Sequence, residues 1–417
     1  MRTHNLVTAS LSLTLVTAAC GPTQVDPPGE LLKSSKARIT AAAPEADQAQ
    51  AVHDTTTFAL DLYRKLPAST DNAALSPWSI TSALSMTYAG ARGATQTAFE
   101  TVLHQSLTHE RYHRAMNSVS LSLDSRSQGA KDFQLRANNQ LFTQTGMTVV
   151  PAFLDVLGEE YGAGVRLLDF ATQPEPSRKA INQWIDTNTA HLIPELLKQG
   201  AVTTDTRLAL VNTLYFNAKW KTPFEHSRTA NGTFTLSDGS TTQVPMMAGE
   251  DLAVRQATVD SVLALELPYK GDEVAMLVLA PPVGTLAQLE QSLDAAKLRS
   301  FVDALTAGTA AVRMPKFEAR SQADLKEVLA ALGLGVAFTP NADFTGMQAE
   351  GGLAITAVVH EAVVKTDEAG TEAAAATAVI VGRVSLPQYV EVDRPFLYLI
   401  RDRATGVVLF LGRVTRP

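Results

Sequence analysis

The sequence predicts a mixed α/β fold in one domain, and three features predict it. Long β-branched and aromatic runs recur from residue 208 onward, stretches with helical spacing stand between them, and no linker divides residues 51–417. A chain of 417 residues, 45% hydrophobic and 18% charged, can bury one large core or two ordinary ones. Its formal net charge of −7 leaves no general positive field for nucleic-acid phosphates. Cys20 is the one cysteine in the sequence, so no internal disulfide can form.

In chain order, Arg2 and His4 precede an apolar stretch from Leu6 to Ala19 that is too short and too polar to span a membrane. Residues 1–19 therefore read as an export signal. Thr17-Ala18-Ala19 before Cys20 resembles a bacterial lipoprotein cleavage site, although leucine is commoner than threonine at the first of those positions. A lipidated Cys20 would hold the protein at a membrane surface; an ordinary secretory peptide is the alternative. Residues 20–47, rich in Pro, Ala, Ser and Gln without a period, are expected to form a flexible tether, and residues 48–417 the folded domain.

Phe58, Leu60, Leu62, Tyr63 and Leu66 give an apolar helical face. Ser76-Pro77 is a good helix start, with Ser as cap and Pro in the first turn. Leu208 to Phe216 reads as a central sheet strand by propensity. Residues 246–247, 265–269 and 274–282 continue the β pattern, 286–305 are helical by spacing, and 312–317 form another strand. A helix over 324–333 is stopped by Gly333, and 354–364 is a strand. Residues 393–400 and 407–414 make a hairpin around Ala404-Thr405-Gly406.

The stretch from Lys365 to Leu386 belongs to none of these patterns. Between Gly370 and Thr377 it holds almost nothing large enough to anchor packing, yet it lies between strongly apolar runs. Its alanines favour helix. As a strand, it puts Thr371, Ala373, Ala375 and Thr377 on one face and Glu372, Ala374 and Ala376 on the other, so the run's one charge falls on a single face. Such a segment could slide between existing strands without burying a charge, which suits a loop that becomes a strand.

The run Glu368 to Thr377, EAGTEAAAAT, resembles the hinge of inhibitory serpins. The resemblance extends over nearly all of residues 51–417. It includes Asn72, Ser76-Pro77, Ser79-Ile80 and the run through Arg92-Gly93 to Thr95, then Ala137-Asn138 with Leu141-Phe142, Tyr161 to Phe170, and Ile181 to Ile185. It implies the serpin fold: α/β (mixed α+β), with a large central β-sheet, helices, and an exposed reactive-centre loop at about 368–390.

The resemblance also implies a mechanical function. A protease attacks the loop, forms an acyl-enzyme, and is carried away as the freed half inserts into the main sheet before water can release it. The family's hinge residues correspond to Glu368, Gly370, Thr371, Glu372, Ala373, Ala374, Ala375, Ala376 and Thr377. Counting seventeen residues inclusively from Glu368 places the reactive bond at Val384–Ser385, and Ser385 lies ten residues before Pro395, the usual family spacing. Val384 suits an elastase-like serine protease, whereas Arg383 would suit a trypsin-like one. Ser76, Ser79, Asn212 and His360 match the family's shutter, the region that parts for insertion. Trp220, Lys316 and Glu368 match its breach, where the loop first enters, and a Lys316–Glu368 surface ion pair is expected to contribute little. Ala369 stands where a second acid is frequent. The expected partner is a target protease; no cofactor, metal or nucleic acid is expected, and the protein is expected to be an exported monomer.

The residues speak against two rival classes. His360-Glu361 begins a zinc-protease motif, but Val364 occupies the second histidine's position, and no G-x-S-x-G elbow occurs. Gly333-Leu334-Gly335 lacks the third glycine of a dinucleotide loop. An enzyme is therefore not expected. A non-inhibitory serpin, acting as a carrier or chaperone, is the alternative; such relatives often carry charged or bulky residues or proline in the hinge, and none falls on the inward face of residues 370–377.

Overall fold

The computed structural model describes residues 24–66, 71–127, 132–371 and 389–417. The first half holds β1 (Glu30–Leu32), α1 (Glu45–Lys65), β2 (Ala73–Leu75), α2 (Pro77–Tyr88), α3 (Gly93–Val102), α4 (His109–Arg126), β3 (Phe133–Gln144), α5 (Pro151–Val156), β4 (Val165–Leu168), α6 (Pro174–Asn188) and β5 (Leu208–Lys219). After it come β6 (Ala230–Thr235), β7 (Thr241–Val259), β8 (Val262–Pro268), β9 (Val274–Ala280), α7 (Leu286–Ser292), α8 (Ala295–Ala304), β10 (Thr306–Pro315), β11 (Phe317–Asp324) and α9 (Lys326–Leu329). The chain closes with β12 (Ala357–Thr366), β13 (Gly370–Thr371), β14 (Tyr389–Glu391), β15 (Phe396–Asp402) and β16 (Val408–Val414).

Among the described residues the strands form two sheets. One has seven strands in the order β1, β4, β3, β5, β13, β12, β11; the other has nine, β14, β10, β7, β8, β9, β15, β16 and β2 in sequence, with β6 beside β7. β5 shows why the first sheet is central. Leu210, Leu214, Phe216 and Ala218 enter the main core, while Ala209 and Val211 enter a second core under α6. A strand covered on both faces reads as a continuous apolar run, as residues 208–216 do. On the α6 side, Ile181, Trp184 and Ile185 pack with Phe142 and Val211.

The seven-stranded sheet is split at its middle. β5 and β12 run parallel and pair directly from Ala209 opposite Ala357 to Thr213 opposite Glu361. Beyond those pairs they part, and β13 enters antiparallel to both. Thr371 lies opposite Ala218 on one side and Thr366 on the other. The chain after α6 bridges the split from above: on β11, Arg320 donates to the Leu192 carbonyl (2.9 Å) and Gln322 to the carbonyls of Glu195 (3.0 Å) and Leu196 (2.8 Å).

Several expectations change. Residues 24–44, read as part of a flexible tether, lie on the body, and β1 extends the sheet by pairing antiparallel with β4; α1 starts at Glu45. Their composition lacks a period because the groups that hold them, both backbone and side chain, belong to distant parts of the body. Ser76 precedes α2 but makes no side-chain cap; its hydroxyl donates elsewhere. The helix expected over 286–305 is two, because Asp294 accepts from the Lys297 amide (2.7 Å) and starts a second one.

Candidate functional site

The hinge begins as a turn, Asp367 to Ala369, whose backbone is fastened to the end of β5. The Trp220 indole N–H donates to the Asp367 carbonyl, the Trp220 amide to Ala369, and the Phe224 amide to Glu368, each at 2.9 Å. Trp220 is held by stacking on Tyr269, with centroids 4.6 Å apart and planes 6° from parallel. Gly370 then passes so close to β5 that a Cβ there would lie 2.1 Å from the Ala218 carbonyl oxygen. Thr371 is buried, its hydroxyl 2.6 Å from the Tyr269 hydroxyl.

Glu368 is only 1% exposed. Its Oε1 accepts from the Thr229 hydroxyl (2.6 Å), and its Oε2 lies 2.7 Å from Lys316 Nζ and 3.4 Å from His226 Nδ1. Lys316 meets Oε2 as an ion pair without an aligned hydrogen bond. Burial alone pushes this carboxyl up, but the Lys316 ammonium and the Thr229 hydroxyl outweigh it and hold it below the ordinary range. The pair expected at the surface thus has a buried acid and a half-exposed base.

The residues matched to the shutter lie where β5 and β12 still pair. His360, on β12, is buried against Asn212 on β5, with Nδ1 2.7 Å from Asn212 Oδ1. The Ser76 amide donates to His360 Nε2 (3.1 Å), so Nδ1 carries the proton and donates to Asn212. Burial pushes the imidazole down to about 3, which keeps it neutral. The Ser76 hydroxyl donates to the Leu409 carbonyl (2.9 Å). Ser79 does not join His360; it donates to Asn139 Oδ1 (2.9 Å), and Asn139 stands opposite Asn212 across β3 and β5.

The structure therefore brings Glu368, Gly370, Thr371, Trp220 and Lys316 together at one end of the split, and Ser76, Ser79, Asn212 and His360 at the other. Glu372, Ala373, Ala374, Ala375, Ala376, Thr377, Arg383, Val384, Ser385 and Cys20 lie outside the described residues. Sequence reasoning missed Asn139, Thr229, His226 and Tyr269. Asn139 had a visible signal, a polar residue inside a strand run; the other three come from distant segments. Among the described residues, no group of three or more His, Cys, Asp or Glu could hold a metal ion.

Two sheets, the first split by a two-residue strand over a buried polar seam, make up the serpin fold. The structure of human thyroxine-binding globulin, complexed with its hormone, matches at a TM-score of 0.80 with 27% identity, covering 89% of this chain and 99% of that one. Serpin48 of the insect Tenebrio molitor, described as highly specific, matches at 0.78 with 30% identity, covering 90% and 100%. Leukocyte elastase inhibitor of Bos taurus is 36% identical over 384 residues, 87% of this chain and 98% of the relative. Residues 53–417 match the protein-family model described as serpin (serine protease inhibitor), and the chain belongs to that family.

Proposed function

We propose that this serpin inhibits a serine protease as a suicide substrate, trapping the acyl-enzyme by inserting its cleaved loop between β5 and β12. The observation that carries the reading is β13, where Gly370 and Thr371 already occupy the top of the gap in antiparallel register with both neighbours. Continued in that register, Ala373 comes between Phe216 and Val364, Ala375 between Leu214 and Ala362, and Thr377 between Asn212 and His360. Each small inward residue meets a core-facing neighbour without adding charge. Thr377 arrives where the Asn212–His360 bond must open, and its hydroxyl offers those groups a replacement partner.

The proposed reactive bond is Val384–Ser385, read by an elastase-like protease, with Arg383–Val384 as the trypsin-like alternative. Mixing the protein with each protease class and analysing denaturing gels and released peptides tests this. A surviving band of summed mass with a peptide starting at Ser385 supports Val384, and a peptide starting at Val384 moves the bond to Arg383. Cleavage without such a band for every protease favours the non-inhibitory reading. Ala373→Arg should give full cleavage and no trapped complex, because insertion in this register would bury an unpaired charge between Phe216 and Val364; trapping at wild-type yield in that variant would refute insertion.

The reading includes export as a monomer with a lipid on Cys20. Val25 is five residues on from Cys20, at most about 18 Å of extended chain, so such an anchor would hold the body close to the membrane. The mass of the mature N-terminus decides between acylated and free cysteine.

A further inference from the structure

We propose that residues 24–44 are a strap that holds the split sheet closed and sets how readily the gap between β5 and β12 widens; the proposal rests on the insertion reading above. The strap begins on α6. The Val25 amide donates to Asn188 Oδ1 (2.7 Å), and the Val25 carbonyl accepts from Asn188 Nδ2 (2.8 Å) and the Trp184 indole (2.9 Å). β1 then pairs with the edge of β4. Farther on, Ser34 donates to Asp155 (2.6 Å), the Ile39 amide donates to the Glu159 carbonyl (2.8 Å), and Arg38 reaches Asn117 (2.9 Å), Ser120 (3.0 Å) and Asp124 (3.1 Å) on α4.

The body is shaped for this segment. Asn188 is buried, and without the strap its amide and the Trp184 N–H would lose these partners inside the fold. A Cβ on Gly164 would lie 2.4 Å from the Leu32 carbonyl oxygen. One on Gly29, at φ +91°, would lie 2.3 Å from the carbonyl oxygen of Leu167.

The strap joins α6, which packs in the second core, to β4, α4 and α5, which share the main core. Widening the gap moves the β5 side away from β12 and β11. It also strains the chain after α6, which is bonded to β11 across the gap. Any shear between α6 and β4, α4 or α5 breaks strap contacts. Interactions lost before the barrier is crossed slow the crossing, so the strap retards insertion in the uncleaved protein.

The test uses the full chain with Gly29→Val, which unseats the strap from β4, and separately Asn188→Leu, which removes both Asn188 contacts to Val25. The uncleaved proteins are held at mild heat, and the fraction that turns into a heat- and urea-resistant form is followed on gradient gels. Conversion should be about tenfold faster than wild type in both variants, the effect of one or two hydrogen bonds lost from the barrier. A synthetic peptide of residues 24–44 should slow it again. Wild-type conversion rates in both variants, even with a lowered melting temperature, overturn the strap, provided that loop cleavage makes the wild type more heat-resistant. If cleavage does not raise heat resistance in the wild type, insertion itself fails, and the strap proposal with it.

Discussion

At the end of the gap matched to the breach, the turn that leads into the gap is held through a buried carboxylate; at the end matched to the shutter, the flanking strands are tied through neutral groups alone. Glu368 sits among Lys316, Thr229 and His226, while His360, Asn212 and Ser76 exchange hydrogen bonds without a formal charge. The difference follows what each place must do. The turn at Glu368 is pinned by backbone bonds to Trp220 and Phe224, so its charge never has to leave its partners. On the insertion reading, the seam at His360 lies in the path of the inserting strand, and a charge there would be stranded each time the seam opened. Neutral groups can exchange one partner for another at small net cost.

The sharpest break of this contrast is His360→Leu. It leaves the Ser76 amide and the Asn212 side chain without their buried partner, which should lower stability by about 3 kcal/mol. The first urea transition should move down accordingly, and spontaneous conversion to the inserted form should accelerate. A transition within error of wild type would mean that the seam does not hold the strands together.

Acid separates the two places next. His360 has a folded-state value near 3, below its ordinary value of 6.5, so its contribution is complete above pH 6.5 and is lost progressively as pH falls toward 3. Glu368 is also depressed, from 4.5, so its contribution is complete above pH 4.5 and disappears only below it. Between these values the shutter weakens while the breach holds. His109 and His113 are lowered by burial too and add their own slope. The measurement is therefore the difference between wild type and His360→Gln, which should shrink as pH falls from 6.5 to 4.5. A constant difference would show that His360 does not titrate with unfolding.

Much of this contrast was legible locally. Leu208 to Phe216 announced a central strand through its own β propensity, and the small residues from Gly370 to Thr377 set that stretch apart as one that could slide between strands, while its match to a hinge came from the family resemblance. What was not legible depends on distant partners. Tyr269 meets Thr371 from 102 residues away, and Thr229 meets Glu368 from 139. The segment from residue 24 to 44 was misread for the same reason: Val25 is held by Asn188, 163 residues on, and Ser34 by Asp155, 121 residues on. A stretch without its own apolar period is assigned no structure, even when the body carries a track for it. The burial of Glu368 escaped likewise, since no local pattern distinguishes a surface acid from one enclosed by a turn.

The smallest effect should come from Lys316→Met, and it tests the contrast most finely. Lys316 is 36% exposed, so solvent screens its side of the pair, and Glu368 keeps Thr229 and the nearby His226. The loss should be about 1 kcal/mol at neutral pH. With the ammonium gone, burial acts on the carboxyl with less opposition, so its protonation should move to higher pH and acid instability should begin earlier. Trapping should nevertheless stay near wild type, because the turn remains pinned by Trp220 and Phe224 and the insertion reading does not require it to move. His360→Leu, by contrast, changes both stability and insertion. If Lys316→Met lowered the fraction of protease trapped as strongly as His360→Leu changes it, the charged latch would itself be a moving part, and fixed charge could no longer be set against movable neutral bonds.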